Sequence, residues 1–432
     1  MGCSSSSARV APITTLPPIS SCLSNWSALF DDDNHINSCF KTLPTTLGKR
    51  QYSVVALKIM DMQGGDTFLS PTMRMQLWLA FSGVGAADVS QNDSLWGSGW
   101  YDRALSIADE MSKQSTSTTT ATTSTSSTTP TTPTITAPKI PWFDPNASSD
   151  AETSATLLIE CAKSLKVVDN DVPRTLHNFA RLTYPLSSDG DPARLPPDNG
   201  TEQKALRRVL RAFVATRPDI NYTQGMNFVA ALFLRILWFG GLQTESGNGY
   251  TDDNQNQDRR REELACGMLR KVANKMGMDN MWRVGFPLLN ELSNQLMTTL
   301  EETSPKVKAR LEKEGLPPSA YTTGWLVTLF TSGDKLAPSE LLRWWDHLWI
   351  HFACDMSAGG GSDGSGGGTL WGTDDARKKG VERWLLQSMS NIMNCHSAKI
   401  LKAKDTVTVM NEVRRGLSIQ ESRKFLFSGC IK

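Results

Sequence analysis

The sequence has no C-x-x-C pair; its eight cysteines stand apart at 3, 22, 39, 161, 266, 354, 395 and 430. That spacing spells neither a zinc ribbon nor a thioredoxin-type redox site, and reduced thiols are the simplest reading. There is no excess of charge of either sign. Forty-five basic side chains face 44 acidic ones, a net charge of +1, so no general field is available to hold nucleic acid. Long hydrophobic runs are also missing. The longest, Phe228 to Phe239 (FVAALFLRILWF), is twelve residues with Arg235 inside it, whereas a membrane span needs about 20; it reads as a core helix. Histidine is scarce, five in all. His347 and His351 have the i, i+4 spacing of a metal helix but no Glu after the first, so the H-E-x-x-H pattern is not met and no metal is expected. The glycine-rich stretch Gly359 to Gly368 lacks the Lys-Ser/Thr of a phosphate loop and follows no strand, so it reads as a linker. No basic segment followed by an apolar one opens the chain, which predicts no secretory signal.

What is present is ample core material. Hydrophobic residues make up 39%, with 13 Trp and 15 Phe, which excludes wholesale disorder. Length alone allows about three domains at roughly 150 residues each, but three stretches cannot pack. From Gln114 to Pro138, 18 of 25 residues are Ser or Thr. Gly240 to Glu263 is polar with the charged end DRRREE, and Ser357 to Thr369 (SAGGGSDGSGGGT) has the composition of a flexible coil. The reading is one large domain over 70–415 with insertions at about 114–138, 240–263 and 357–369, an extension over 1–69, and a tail over 416–432.

Met1-Gly2-Cys3-Ser4-Ser5-Ser6 fits M-G-x-x-x-[ST], the pattern for myristoylation of Gly2, with Cys3 placed for palmitoylation. One myristoyl chain gives only marginal membrane binding. A polybasic patch cannot add to it, because Arg9 is the only basic residue before Lys41. Cys3 is then the second signal, and the expected location is cytoplasmic and peripheral on an endomembrane or the plasma membrane.

Helical periodicity begins at Ser70-Pro71, an N-cap followed by proline, with Met73, Leu77 and Phe81 at four-residue spacing. Tyr101 to Met111 reads as another helix. Leu206, Val209, Leu210, Phe213 and Val214 form an i, i+3, i+4, i+7, i+8 stripe, ended at Arg217-Pro218-Asp219. Met226, Val229, Ala230, Phe233 and Leu237 define the next. Further helices fit 262–277, 286–300, 304–314, 320–331, 338–353 and 380–396. No alternating strand pattern of useful length and no repeat of 20–50 residues is present. The fold class is all-α.

Three short patterns sit on these helices. Arg74 and Trp78 share a helix face at i, i+4, a spacing that packing alone explains. In Val168-Asp169-Asn170-Asp171-Val172-Pro173-Arg174-Thr175, Asp171 can act as an N-cap, Pro173 suits a first turn, and Arg174 projects from the start of a helix; a surface ion pair is the alternative. Tyr222-Thr223-Gln224-Gly225-Met226 is a polar hook before the most apolar helix, where Gln224 could be an ordinary cap.

Together and in this order, R-x-x-x-W, V-x-x-D-x-x-R and Y-x-Q-G-M resemble the TBC-domain family of Rab GTPase-activating proteins. The C-terminal half agrees. Leu311 to Tyr321 resembles the family's connection into a W-x-x-x-x-F helix at Trp325 to Phe330, and Leu341 to Asp346 resembles its R-x-W-D helix. The departures are Val168 for Ile, Leu176-His177 for Phe-Pro, Asn221 where Gly is usual before the tyrosine, and Trp344 at an aliphatic position. The resemblance implies a single multi-helix domain that activates a GTP-bound Rab GTPase and regulates vesicle trafficking. Arg174 would then be an arginine finger and Gln224 a glutamine finger. Asp171, Tyr222, Gly225, Arg74 and Trp78 would support them. GTP and magnesium would belong to the partner, with no cofactor on this chain.

The residue types suit that chemistry. Phosphoryl transfer to water needs charge neutralised and a water oriented. Arginine's planar, always-charged fork bonds two phosphate oxygens, and a glutamine amide offers both an acceptor and donors to water. Two other readings remain at this point: a TBC-like scaffold that binds a GTPase without accelerating hydrolysis, and a helical membrane adaptor unrelated to GTPases.

Overall fold

The computed structural model describes residues 71–82, 84, 99–120, 151–179, 200–240, 253–332, 335–353 and 374–427, all within one unit, Leu47–Lys432. Every regular element among them is an α-helix: α1 Pro71–Ser82, α2 Trp100–Thr120, α3 Ala151–Phe179, α4 Thr201–Thr216, α5 Met226–Phe239, α6 Asp253–Lys275, α7 Asp279–Trp282, α8 Pro287–Thr303, α9 Pro305–Lys313, α10 Ser319–Leu326, α11 Pro338–Ala353, α12 Asp374–Lys402, α13 Thr406–Arg414 and α14 Ile419–Phe427. The all-α reading holds. No described helix is long and apolar enough to cross a membrane.

Two helices organise the rest. The α4 stripe of Leu206, Val209, Leu210, Phe213 and Val214 is fully buried, and α2, α3, α5 and α6 pack around it. In the C-terminal half, α12 is the centre, touched by α8, α9, α11, α13 and α14. Helix α5 is apolar all round because neighbours cover it on every side: α3, α4, α6 and α1. Its one charge, Arg235, is buried and answered by Glu202, with Nε 2.6 Å from Oε1.

Helix α1 joins the halves, packing on both α5 and α11. The Arg74 guanidinium meets the Asp346 carboxylate through Nε at 3.0 Å and Nη2 at 3.0 Å, and the Trp78 indole N–H donates to the same carboxylate at 2.7 Å. Arg74 and Trp78 are each 1% exposed, so they support the fold from inside and present nothing to a partner. Burial pushes the Asp346 carboxyl up from its usual range, and Arg74 and Trp78 work against that push. Around the pair, Trp78, Phe233 and Trp345 interlock with centroid distances of 5.2–6.2 Å. Phe330 continues the cluster through Trp344 at 4.8 Å. The two histidines beside Asp346 stack on Trp384, His347 at 5.3 Å and His351 at 4.8 Å. Burial lowers them to about 3 and about 4, so at neutral pH both are uncharged aromatic fillers.

Four expectations need correction. Helix α2 runs to Thr120 and takes in the first seven residues of the Ser/Thr tract that begins at Gln114; an established helix propagates at one hydrogen bond per residue fixed. Helix α6 begins at Asp253, inside the expected polar insertion. Its DRRREE segment is helical because its charges pair at i, i+3, Arg260 with Glu263 at 2.6 Å and Arg261 with Asp258 at 2.7 Å. Glu262 turns inward to take Arg208 Nε at 2.8 Å and the Tyr101 hydroxyl at 3.2 Å. Asp171 and Pro173 do not start a helix; both lie within α3. Residues 416–432 are not simply a tail, since α14 packs on α11 and α12. Its start is a capping box in which the Ser418 N–H donates to Glu421 at 2.9 Å and the Glu421 N–H to the Ser418 hydroxyl at 3.2 Å. The Ser418 N–H first, and then the Arg415 guanidinium, hold the Glu421 carboxyl down to about 2. Leu417 is buried, and its N–H donates to the Lys335 carbonyl at 2.8 Å.

Asp346→Asn keeps the volume but leaves the Arg74 guanidinium in the core without its counter-charge. A broken buried pair costs about 3–5 kcal/mol, so urea unfolding should show a loss of that size. A loss under about 1 kcal/mol would mean that the pair does not fix α1 against α11.

Candidate functional site

Helix α3 carries Arg174 one residue after Pro173, which has no N–H to give to the carbonyl four residues back. The Arg174 side chain is 62% exposed, while its partner Asp171 is 1% exposed. One Asp171 oxygen accepts from the Arg174 guanidinium. The other accepts the Tyr222 hydroxyl at 2.8 Å, and burial, then that bond to a carboxylate, raises the phenol well above its ordinary value. Tyr222 is therefore a fixed donor at any ordinary pH. It stands two residues before Gln224, which is exposed. One buried carboxylate thus ties the exposed arginine on α3 to the turn that carries the exposed glutamine.

A second buried link runs parallel to the first. The Thr175 hydroxyl donates to the Asp171 carbonyl at 2.8 Å and accepts from Asn227 Nδ2 at 2.7 Å. Asn227 Oδ1 in turn accepts the Gly225 N–H at 2.8 Å. Gly225 sits at φ 121°, where side chains are strained. A Cβ there would lie 2.7 Å from Val327 Cγ1 and 2.8 Å from the Val327 carbonyl oxygen. No other residue fits between the hook and the chain after α10.

The far side of the hook is fastened as well. The Thr223 hydroxyl donates to the Trp282 carbonyl at 2.7 Å, and the Trp282 indole N–H donates to the Val327 carbonyl at 2.9 Å. Val327 can present that carbonyl because the chain turns sharply after it, with Leu329 at φ 47° and Phe330 at φ 62°, and the Phe330 N–H closing back on the Trp325 carbonyl at 2.7 Å. Two adjacent left-handed non-glycine residues are strained, and such strain persists only where packing over-determines it. Asn221, which replaces the usual glycine, is at φ 61°, a conformation that asparagine tolerates better than most. The departure is conservative in backbone terms.

Of the residues singled out in sequence, Asp171, Arg174, Tyr222, Gln224 and Gly225 are brought together by these bonds. Arg74 and Trp78 lie in the interior with Asp346 instead. Gly2 and Cys3 fall outside the described residues. Sequence reasoning missed Thr175, Asn227, Thr223, Trp282 and Val327. Asn227 left a signal: apart from Arg235 it is the only polar side chain in α5, MNFVAALFLRILWF.

Tyr222→Phe removes one hydroxyl and leaves an Asp171 oxygen buried without its donor. An unsatisfied buried group costs about 1–3 kcal/mol, and denaturant unfolding should register a loss in that range. An unchanged midpoint would show that the tie carries no stability.

Comparison with known proteins matches the span that holds these residues. The Rab-GTPase-TBC domain family model matches residues 145–356, a span that contains both halves of the tie. The GTPase-activating protein GYP5 of Saccharomyces cerevisiae is 28% identical over 149 residues, 34% of this chain and 14% of that protein. TBC1 domain family member 14 of Homo sapiens is 24% identical over 184 residues, 42% of this chain and 21% of that protein. The chain thus matches under a quarter of the length of these relatives. The crystal structure of the Ypt/Rab-GAP domain of Gyp1p superposes with a TM-score of 0.52 at 11% identity, covering 95% of this chain and 97% of that one, which is a likeness of fold. On these findings, residues 145–356 match the Rab-GTPase-TBC domain family, and the described helices share the fold of a Ypt/Rab-GAP domain.

Proposed function

We propose that this chain accelerates GTP hydrolysis on a Rab-family small GTPase, with Arg174 neutralising charge on the transferring phosphoryl group and Gln224 orienting the attacking water. The observation that carries this reading is the buried Asp171 carboxylate, which ties the exposed Arg174 to Tyr222 in the turn that carries the exposed Gln224. Catalytic groups must be held to within a fraction of an ångström by supporting bonds, and here the supporting bonds are buried or half-buried while both proposed working side chains are exposed. Arg174 keeps free N–H donors beyond the pair with Asp171, because a guanidinium has five. The partner would bring GTP and magnesium, and this chain would need no cofactor. Such an activator would switch off Rab signalling and so regulate vesicle trafficking.

An arginine finger is worth about 10³–10⁵ in rate, about 4–7 kcal/mol. It acts on charge that develops in the transition state, so its loss should lower stimulated hydrolysis far more than binding. Against a panel of purified Rab GTPases, Arg174→Ala should bind the GTP form yet fail to stimulate. Arg174→Lys should remain severely impaired, because the fork is lost. Gln224→Ala should be crippled too, and the double variant should lose less than the product of the single losses. A Rab that hydrolyses GTP as fast with Arg174→Ala as with wild type would overturn the assignment. Equal loss of binding and rate would favour a scaffold that only binds.

The same proposal places the protein on a cytoplasmic membrane face through myristoyl-Gly2 and palmitoyl-Cys3, one chain being too weak alone. In eukaryotic cells Gly2→Ala should move the protein from the membrane to the soluble fraction, and Cys3→Ser should leave only weak, reversible binding. Membrane association unchanged by Gly2→Ala would exclude the anchor.

A further inference from the structure

Between α7 and α8 the chain makes a tight turn, Arg283-Val284-Gly285-Phe286. Val284 is 92% exposed, the most exposed of the large hydrophobic side chains in the described residues. A single exposed valine needs no explanation on an ordinary surface, but this turn is not ordinary. Gly285 is at φ 85° and Phe286 at φ 49°, so a half-buried phenylalanine is held in a left-handed conformation that costs energy. The turn is pinned at each step. The Arg283 N–H donates to the Asp279 carbonyl at 2.8 Å, the Phe286 N–H to the Arg283 carbonyl at 2.9 Å, and Asn290 Nδ2 to the Gly285 carbonyl at 3.0 Å. Its root is Trp282, whose carbonyl accepts the Thr223 hydroxyl of the glutamine hook.

That last bond sets the distance from the proposed chemistry. Thr223 adjoins Gln224, and Val284 lies two residues, at most about 7 Å of chain, beyond Trp282. A standard interface covers about 800 Å² on each partner, a disc of about 16 Å radius. A GTPase seated on Gln224 would therefore come within reach of this turn. The composition around Val284 is that of an interface edge, an apolar point within a charged rim. Arg283 reaches Asp219 at 3.4 Å, and Asp219 is also paired with Arg217 at 2.7 Å.

We propose that Val284 is a specificity-determining residue, an apolar peg that the rigid turn beside Gln224 presents to an apolar surface patch on the GTP-bound GTPase. This inference rests on the reading of the chain as an activator of such a GTPase. The pinned turn has little conformational freedom left to lose on docking, so burying the peg is gained without an ordering cost. Because Val284 touches the partner away from the phosphates, it contributes equally to the ground and transition states. It should act on KM and leave kcat alone.

The test uses the full-length protein with the Rab GTPase it stimulates best. Val284→Asp should raise KM at least tenfold with kcat within twofold of wild type, and should weaken binding to the same GTPase loaded with a non-hydrolysable GTP analogue by a similar factor. Val284→Ala should give a smaller change in the same direction. The thermal midpoint should be unchanged for both, since the side chain is outside the core. If Val284→Asp stimulates and binds as wild type does while Arg174→Ala abolishes stimulation, the activator reading stands and this inference falls. If Val284→Asp lowers kcat at saturation, the residue is not a peg but part of the support for Gln224, and the inference is likewise overturned. If wild type binds no GTPase of the panel, both fall together.

Discussion

The buried pair of Arg74 with Asp346 is the constraint on which the two halves of the fold depend. Its partners are 272 residues apart in sequence, and two charges taken out of water are stabilising only when each remains fully answered. Asp346 meets that condition by accepting from both the guanidinium and the Trp78 indole. The pair therefore fixes α1 on α11 in one register and one rotation. Helix α1 also lies on α5, whose N-terminal end is the glutamine hook. A charge pair with no access to a partner so contributes to where Gln224 stands. It does this through packing, by way of Phe233 of α5 against Trp78 and Trp345.

How much of this was legible in the sequence depends on the range of the interaction. Helix-period stripes such as Leu206 to Val214 are local, and the all-α class followed from them. The meeting of R-x-x-x-W with R-x-W-D is not local. Nothing in the spacing of Arg74 and Trp78 says that their shared partner is Asp346, so they read as ordinary packing on one helix. Composition misled where charge pairing substitutes for hydrophobicity. The segment DRRREE looked like a loop because it is polar, yet its i, i+3 pairs and the inward Glu262 make it a helix. Ser418 and Glu421 spell S-x-x-E, a capping-box signal that the reading of 416–432 as a tail passed over.

At the candidate site the motifs single out the two proposed working residues and three of their supports, Asp171, Tyr222 and Gly225, but not the others. Arg174 and Gln224 are marked by the resemblance of their motifs to a family whose chemistry suits those residue types. Thr175, Asn227 and the Val327 carbonyl are marked only by where the chain folds. A carbonyl has no sequence signature at all. The role of Asp171 also changed with structure. An aspartate two residues before a proline reads as a helix cap, whereas its carboxylate is shared between Arg174 and Tyr222 in mid-helix.

The location of strain follows from the same division between support and function. Left-handed non-glycine residues occur at Asn221, Phe286, Leu329 and Phe330. Asn221 is within the hook's approach, Leu329 and Phe330 follow the Val327 carbonyl that holds Trp282, and Phe286 closes the turn rooted on Trp282. All four therefore lie along the path that fastens Gln224. Each costs on the order of 1–3 kcal/mol, which the buried aromatic cluster from Trp325 through Phe330 to Trp344 offsets by packing. A chain selected for stability alone would relax these turns. Their concentration at one site is the signature of a surface whose shape, more than its stability, is being held.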